Sequence, residues 1–326
     1  MTKHEITRRS FLTSVSLGVA LGATSTLSAL DSSASSSSTL DASKVKFCLN
    51  LGTLRNYELS LMDELKTARD AGYHSVEIWF DRLQAYSGVE NGHMSRGKLE
   101  ELKKFLDGEG LQVEGAIGFA TWIMNEPERR KQGLDELACQ MEALEILGAP
   151  YVAAPAAGPW NEKISDLDVI AERYRAILEL GETYGVRPLL ELWGPSPTLS
   201  QLSDCLAICA KTGRTDAALL LDVYHLYRGG NPFEALALIS GAAMPVFHMN
   251  DYPSEPEREK LNDGDRVFPG DGAAPMDFIL STILNNGFNG VLSFEIFNRS
   301  YRDKMSAVDQ ARIGLEKMQS FFAPRG

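Results

Sequence analysis

Short apolar runs alternate with amphipathic segments along the chain from residue 44 onward. The last four runs are four to seven residues long, rich in Leu, Val, Ile or Phe, and bounded by Gly, Pro, Asn or Asp. Such runs are typical of strands that are buried on both faces. The pattern predicts strands at 45–51, 75–80, 111–118, 151–155, 188–193, 219–225, 245–251 and 291–297.

The segments between these runs show helical spacing and end at Gly or Pro stop signals. The predicted helices cover 58–71, 96–109, 128–147, 168–184, 199–212, 232–240, 276–286 and 303–322. Alternating strands and helices force parallel pairing, and eight units close most simply into a barrel. The alternative is a doubly wound open sheet, but no G-x-G-x-x-G follows the first strand. We therefore predict a single α/β domain over residues 44–326 with the (β/α)8 TIM barrel fold.

One side chain of a metal-binding type stands near the end of each of the last four predicted strands: Glu191, Asp222, His248 and Glu295. Any one of them could be a satisfied polar group of the core, because an uncompensated carboxylate or imidazole is costly to bury. In a barrel, however, neighbouring strands lie about 5 Å apart and end at one face. Two Glu, one Asp and one His suit a divalent cation such as Mn²⁺, Co²⁺, Mg²⁺ or Zn²⁺. The sequence thus predicts a site for one divalent metal ion.

The order of these four residues resembles that of the sugar isomerase/epimerase group with a xylose isomerase-like TIM barrel. This group includes ketose 3-epimerases and inosose-converting enzymes. Segments 72–77 (Gly-Tyr-His-Ser-Val-Glu) and 268–272 (Phe-Pro-Gly-Asp-Gly) add to the resemblance. It implies that Mn²⁺ is the first candidate for the metal and that His225 and Arg266 contact the substrate.

The resemblance also implies that Glu191 and Glu295 face opposite sides of a sugar carbon. One carboxylate would remove a proton next to a carbonyl and the other would return it, with the metal ion stabilising the enediolate. Isomerisation or epimerisation of a sugar would result. The same enediolate could expel a leaving group, so a lyase or dehydratase acting on keto-sugars, keto-glycosides or inososes stays open.

Further candidates for substrate contact lie near the ends of other predicted strands. Glu77 in the second strand could bond the substrate, orient a metal ligand or be a structural buried acid. Trp122 and Trp193 follow the third and fifth strands, and Trp160 and Phe297 follow the fourth and eighth. Aromatic rings suit the C–H faces of a sugar, although packing within the barrel is the alternative.

The net charge of -12 argues against a nucleic-acid partner, because phosphate binding needs clustered Lys and Arg. A barrel nuclease would also need about three zinc ions and more than the five histidines present. A sugar-binding protein without activity would not need metal ligands. The expected partner is therefore a small-molecule sugar or sugar derivative, and a homo-oligomer is compatible with the sequence.

Residues 1–34 have the features of a twin-arginine (Tat) export signal, with Arg8-Arg9 before a mild apolar stretch from 15 to about 30. This stretch is too short and too weakly apolar for a stable membrane span. The Ser-rich residues 35–43 predict an unstructured linker. Together these features predict an exported, periplasmic protein without a membrane-spanning segment.

Overall fold

Eight parallel strands close into a barrel in the computed structural model of the protein, which describes residues 40–324. The strands are β1 (Lys46–Asn50), β2 (Ser75–Trp79), β3 (Gln112–Ile117), β4 (Tyr151–Ala154), β5 (Arg187–Glu191), β6 (Leu219–Asp222), β7 (Val246–Met249) and β8 (Val291–Phe294). Each strand pairs with its neighbour in sequence, and β8 returns to β1 with Lys46 opposite Val291. The predicted (β/α)8 TIM barrel is confirmed.

The α-helices within the described residues are α1 (Leu61–Asp70), α2 (Phe80–Ser87), α3 (Arg96–Glu109), α4 (Pro127–Leu147), α5 (Leu167–Tyr184), α6 (Leu202–Lys211), α7 (Val223–Arg228), α8 (Met276–Asn285) and α9 (Ala307–Ser320). The predicted stop at Gly148 is observed: this residue ends α4 with a φ of 73°, which a residue without a Cβ adopts at no steric cost. Among residues 40–324, no helix combines the length and apolar character that crossing a membrane requires.

Several segments differ from the sequence prediction, among them helix α2 and a 3-10 helix over Leu51–Tyr57, neither of which was predicted. The helix expected at 232–240 is a 3-10 helix over Phe233–Leu238. Helix α7 was not predicted, and it starts directly after β6 because the Asp222 side chain caps it by accepting the backbone N–H of His225 at 2.8 Å. A hairpin of Val89–Glu90 and His93–Met94 follows α2. The expected linker ends in a short 3-10 turn from residue 42, and the predicted export signal lies outside the described residues.

The barrel interior places the predicted ligands above an apolar layer. Its buried residues, contributed by strands on all sides, are Cys48, Ile117, Ala153, Leu189, Ala218, Leu220, Val246 and Val291. Side chains two residues apart on a strand point to the same face. Glu191 follows Leu189 and Asp222 follows Leu220 by two residues, so both carboxyl groups face the interior at the carboxyl end of the barrel.

Candidate metal centre

Three of the predicted ligands meet at the carboxyl ends of adjacent strands. Asp222 ends β6, His248 lies in β7 and Glu295 directly follows β8. Each offers one ligand atom, and these atoms lie within 4.8 Å of one another. All three side chains are buried. Two carboxylates and an imidazole at this spacing form a donor set that suits a divalent cation.

The orientation of His248 is fixed by Glu77. Nε2 of His248 lies 2.9 Å from Oε2 of Glu77, and the same oxygen accepts the hydroxyl of Ser293 at 2.5 Å. Nδ1 of His248 faces the carboxylates, 3.4 Å from Glu295 Oε2 and 3.9 Å from Asp222 Oδ2. An imidazole that donates Nε2–H to a carboxylate presents the lone pair of Nδ1 to a metal. Of the roles that the sequence left open for Glu77, this contact favours the orientation of a predicted metal ligand over contact with substrate.

Glu191, the fourth predicted ligand, borders this cluster but lies outside the 4.8 Å group. Its Oε2 atom is buried and has no hydrogen-bond partner among the described residues. Burial, with the nearby carboxylates of Glu295 and Asp222, raises the pKa of Glu191 to about 8, although the cations of His248 and Arg266 oppose the shift. A buried carboxyl oxygen without a partner is unusual. A bound cation would give it one.

Arg266 supplies a positive charge to the cluster. Its guanidinium is fully buried and donates to Glu295 Oε2 at 2.8 Å and to Asp222 Oδ2 at 3.2 Å. The other terminal nitrogen donates to Asp263 Oδ1 at 2.5 Å and lies 3.1 Å from His225 Nε2. Burial opposes the charge, but the three carboxylates outweigh it and raise the pKa of Arg266. The carboxylates are thus held by a permanent cation.

His225 stands beside Arg266 as a neutral imidazole. Burial lowers its pKa well below the usual range, and the positive charges of Arg266 and His248 lower it further. Nε2 of His225 accepts from Arg266, so its proton resides on Nδ1, which has no partner among the described residues. This buried N–H is therefore a donor without an acceptor among the described residues.

The two carboxyl groups of Glu191 and Glu295 open into a cavity of about 260 Å³. Its lining includes His225 and Arg266, as predicted for substrate contacts, together with the ring of Trp193. A larger cavity of about 570 Å³ opens at the other end of the barrel, but its lining contains none of the predicted ligands.

Trp122 is a correction to the predicted substrate contacts. Its side chain is only 1% exposed and packs in the core, with its ring 6.1 Å from that of Tyr174. The indole N–H donates to the carbonyl oxygen of Pro155 at 2.9 Å. The aromatic residue that follows β3 into the cavity lining is Phe119, which sequence reasoning missed.

One more residue of the cluster was missed. Asn250 is fully buried, donates to Asp222 Oδ2 at 2.6 Å and accepts the backbone N–H of Tyr224 at 2.9 Å. Its position two residues after His248 on the same strand face is the signal that could have found it. Asp263, which the sequence already offered as an ion-pair partner of Arg266, begins a short 3-10 helix over Asp263–Asp265 and accepts from the guanidinium.

Comparison with known proteins defines the class. The family described as the xylose isomerase-like TIM barrel matches residues 65–321, and the chain belongs to this family. An inosose isomerase of Bacillus licheniformis is 29% identical over 278 residues, which cover 83% of this chain and 96% of that protein. A 3-dehydroshikimate dehydratase of Pseudomonas aeruginosa is 21% identical over 78% of this chain but only 39% of its own length.

A solved structure shares the fold. The IOLI protein with a bound zinc atom superimposes with a TM-score of 0.76 at 24% identity, covering 85% of this chain and 98% of that one. The resemblance to the sugar isomerase/epimerase group drawn from the order of the four predicted ligands is thereby confirmed at the level of the family.

Proposed function

We propose that this protein is a divalent-metal-dependent isomerase or epimerase of a sugar or sugar derivative. The observation that carries the proposal is the buried, unpartnered Oε2 of Glu191 beside the cluster of Asp222, His248 and Glu295. Glu191 completes the donor set that a divalent ion requires. The similarity to inosose isomerases supports a polyhydroxylated carbonyl compound as substrate.

The residues present fit a metal ion. Asp222, His248, Glu295 and Glu191 would hold it, with His248 using Nδ1 because Nε2 is engaged by Glu77. Mn²⁺ is our first candidate, and Zn²⁺, Co²⁺ and Mg²⁺ are the alternatives, Zn²⁺ being the ion bound by the IOLI protein. When bound, such an ion supplies a Lewis acid that polarises a carbonyl oxygen and stabilises developing negative charge.

The two glutamates would move the proton. Burial acts to raise the pKa of Glu295, but the cations of His248 and Arg266 outweigh it and lower the pKa to about 2. The pKa of Glu191 is raised to about 8. Glu191 and Glu295 would remove and return the proton next to the carbonyl, and the Nδ1–H of His225 would bind a substrate oxygen.

The second candidate is a lyase or dehydratase, which the similarity to a 3-dehydroshikimate dehydratase favours. It would use the same carboxylates for proton removal. The difference lies in the substrate, because a leaving group on the next carbon would be expelled before the proton returns.

Proton NMR in D₂O with ketoses, keto-glycosides and inososes tests the proposal. For an isomerase or epimerase, deuterium should enter at one carbon next to the carbonyl, and the substrate should lose no group. Loss of water or of another leaving group would instead indicate the lyase or dehydratase. Glu191→Gln should abolish the exchange. Glu114→Gln, which changes a buried carboxyl on β3 paired with Lys46 at 2.9 Å, should retain it. Exchange that persists in Glu191→Gln would refute the assignment of the base.

We also propose that residues 1–34 direct export to the periplasm. The twin Arg8-Arg9 pair supports this. Replacing both arginines by lysine should retain the protein in the cytoplasmic fraction, and unchanged periplasmic recovery would contradict the proposal.

A further inference from the structure

Four aromatic side chains help to line the cavity at Glu191 and Glu295, and a fifth, Trp160, contacts two of them to complete an arc. Each comes from the end of a different strand, and we call the set Phe297, Trp79, Phe119, Trp160 and Trp193 the aromatic arc. Successive ring centroids in this order are 5.9, 5.8, 6.2 and 5.4 Å apart. These separations are within the range of edge and tilted ring contacts. The arc is therefore continuous.

The inner part of the arc belongs to the proposed reaction site. Trp193 follows Glu191 by two residues and Phe297 follows Glu295 by two, and both rings are half-buried. A single sugar ring held between the two carboxyl groups would lie against these aromatic faces. Such contacts are an ordinary use of aromatic rings in sugar sites and need no further ligand group.

The outer part of the arc has no such explanation. Phe119 and Trp160 are each 45% exposed and adjoin one another. They follow β3 and β4, which carry none of the predicted metal ligands. Large apolar side chains exposed side by side at the edge of a cavity mark a binding surface. Phe119 lies in the cavity lining and Trp160 lies beyond it, so one sugar ring at the carboxylates would leave Trp160 uncovered.

The chemistry of the outer arc favours an uncharged ring. Two cations contact the arc, and both are paired with carboxylates. Arg55 sits 4.2 Å from the ring centroid of Trp79 and is paired with Asp81 at 2.9 Å. Arg266 sits 5.0 Å from the ring centroid of Phe297 and is paired with Glu295 at 2.8 Å. Phe119 packs against the rings of Trp79 and Trp160, and Trp160 also packs against Trp193. The surface that these two rings expose is therefore aromatic carbon. A flat, neutral group stacks on such carbon with favourable dispersion and little desolvation cost.

We propose that Phe119 and Trp160 form a subsite for a second ring of the substrate. The protein then acts on a glycoside or another ring-substituted sugar, with the reacting sugar at Glu191 and the second ring on the outer arc. This inference rests on the proposed function for the position of the reacting sugar. The proposed substrate is therefore a sugar that carries one additional neutral ring.

Calorimetric titration with phenyl β-D-glucopyranoside and methyl β-D-glucopyranoside tests the subsite, since the two probes differ only in the second ring. The wild-type protein should bind the phenyl compound about tenfold more tightly, given stacking contributions of about 0.5–1.5 kcal/mol per aromatic pair. The preference should fall below about twofold in the double variant Phe119→Ala, Trp160→Ala. Phe278→Ala, which removes a ring of comparable exposure (41%) on α8, should keep the full preference.

Equal affinities for the two probes in the wild-type protein, or an undiminished preference in the double variant, would overturn the proposal. Should the double variant fail to fold, saturation-transfer NMR on the wild-type protein decides instead: the phenyl protons must receive at least as much saturation as the sugar protons. A change of oligomeric state in the double variant with an unchanged preference would assign the rings to a contact between copies and also overturn it.

The outcome is separable from that of the proposed function, because probe binding needs no turnover. A phenyl preference without deuterium exchange on any carbonyl substrate would support the subsite and contradict the proposed isomerase activity. Deuterium exchange without a phenyl preference would do the reverse.

Discussion

Oε2 of Glu77 lies 2.9 Å from Nε2 of His248, at the ring nitrogen that does not face the carboxylates of the cluster. Both side chains are buried, and Ser293 and Asn50 donate to the same oxygen of Glu77 at 2.5 and 3.3 Å. This bond selects the tautomer of the imidazole and holds its plane. The proposed metal centre therefore depends on a carboxylate that does not itself bind the ion.

Glu77→Ala should weaken divalent-metal affinity by about 10–100-fold, the usual cost of losing such a supporting carboxylate. Glu77→Gln keeps an acceptor oxygen and should lose less. Competition with a fluorescent chelator gives both constants. Equal affinity in Glu77→Ala and the wild-type protein would show that His248 is oriented without this bond.

In the metal-free protein, the guanidinium of Arg266 is a counter-ion for the carboxylates of Asp222 and Glu295. Arg266→Met would leave His248 as the buried cation beside Asp222 and Glu295, so the chelated protein should lose about 3–5 kcal/mol of unfolding free energy. Added Mn²⁺ should stabilise this variant more than the wild-type protein, because the ion restores the missing charge. Urea denaturation with and without metal measures both effects.

The control for Arg266 is Arg312→Met. Arg312 is 45% exposed and pairs with Asp309 at 3.0 Å on the surface of α9. Its loss should change the unfolding free energy by no more than about 0.5–1 kcal/mol. A similarly small effect in Arg266→Met would mean that the cluster does not need an internal cation.

Asp251 fixes the loop that carries Arg266. Its buried carboxylate accepts backbone N–H groups of four residues at 2.8–3.1 Å: Tyr252, Gly270, Gly272 and Ala274. Asp251→Ala leaves these donors unpaired and should cost about 2–4 kcal/mol. The exposed Asp303→Ala provides the control. A loss below about 1 kcal/mol in thermal or urea unfolding would contradict this role of the Asp251 carboxylate.

Glu64 predicts a pH dependence of stability outside the metal centre. Both its carboxyl oxygens are buried without a hydrogen-bond partner among residues 40–324, and Nε of Arg82 lies 3.5 Å away. Burial raises the pKa of Glu64 from 4.5 to about 7, and Arg82 and Arg55 offset only part of the shift. The folded state therefore binds more protons than the unfolded state between these pH values.

The stability contributed by Glu64 is complete below pH 4.5 and declines as pH rises to about 7. Glu64→Gln should remove this decline, so that the variant gains about 3 kcal/mol relative to the wild-type protein between pH 4.5 and pH 8. Urea unfolding at a series of pH values measures the difference. Parallel stability curves for the two proteins would refute the raised pKa.

The fold and the centre of the site could be predicted because both depend on local sequence patterns, namely apolar strands and the polar residues near their ends. Asp222 and His248 each interrupt an apolar strand, and barrel closure brings consecutive strand ends together whatever the details of the loops. The role of Glu77 could not be predicted, since a carboxyl group on a strand end has the same pattern whether it faces substrate or a ligand. Its partner is decided by the register of β2 within the barrel.

Aromatic residues after strands show the same limit. Phe119 lies two residues beyond the end of β3 and lines the cavity, whereas Trp122 lies five residues beyond it and turns into the core. Both positions carry a large aromatic side chain. Loop geometry, which has no periodic signal in sequence, separates them.

Counting the divalent ions retained per chain tests the central claim most directly. Chelated protein would be reconstituted with Mn²⁺, desalted and analysed by mass spectrometry of the elements. We predict one ion per chain in the wild-type protein and in Glu114→Gln, and loss of the ion in Asp222→Asn and Glu295→Gln. Retention of one ion by Glu295→Gln, or no ion in the folded wild-type protein, would contradict a metal centre shared by these strands.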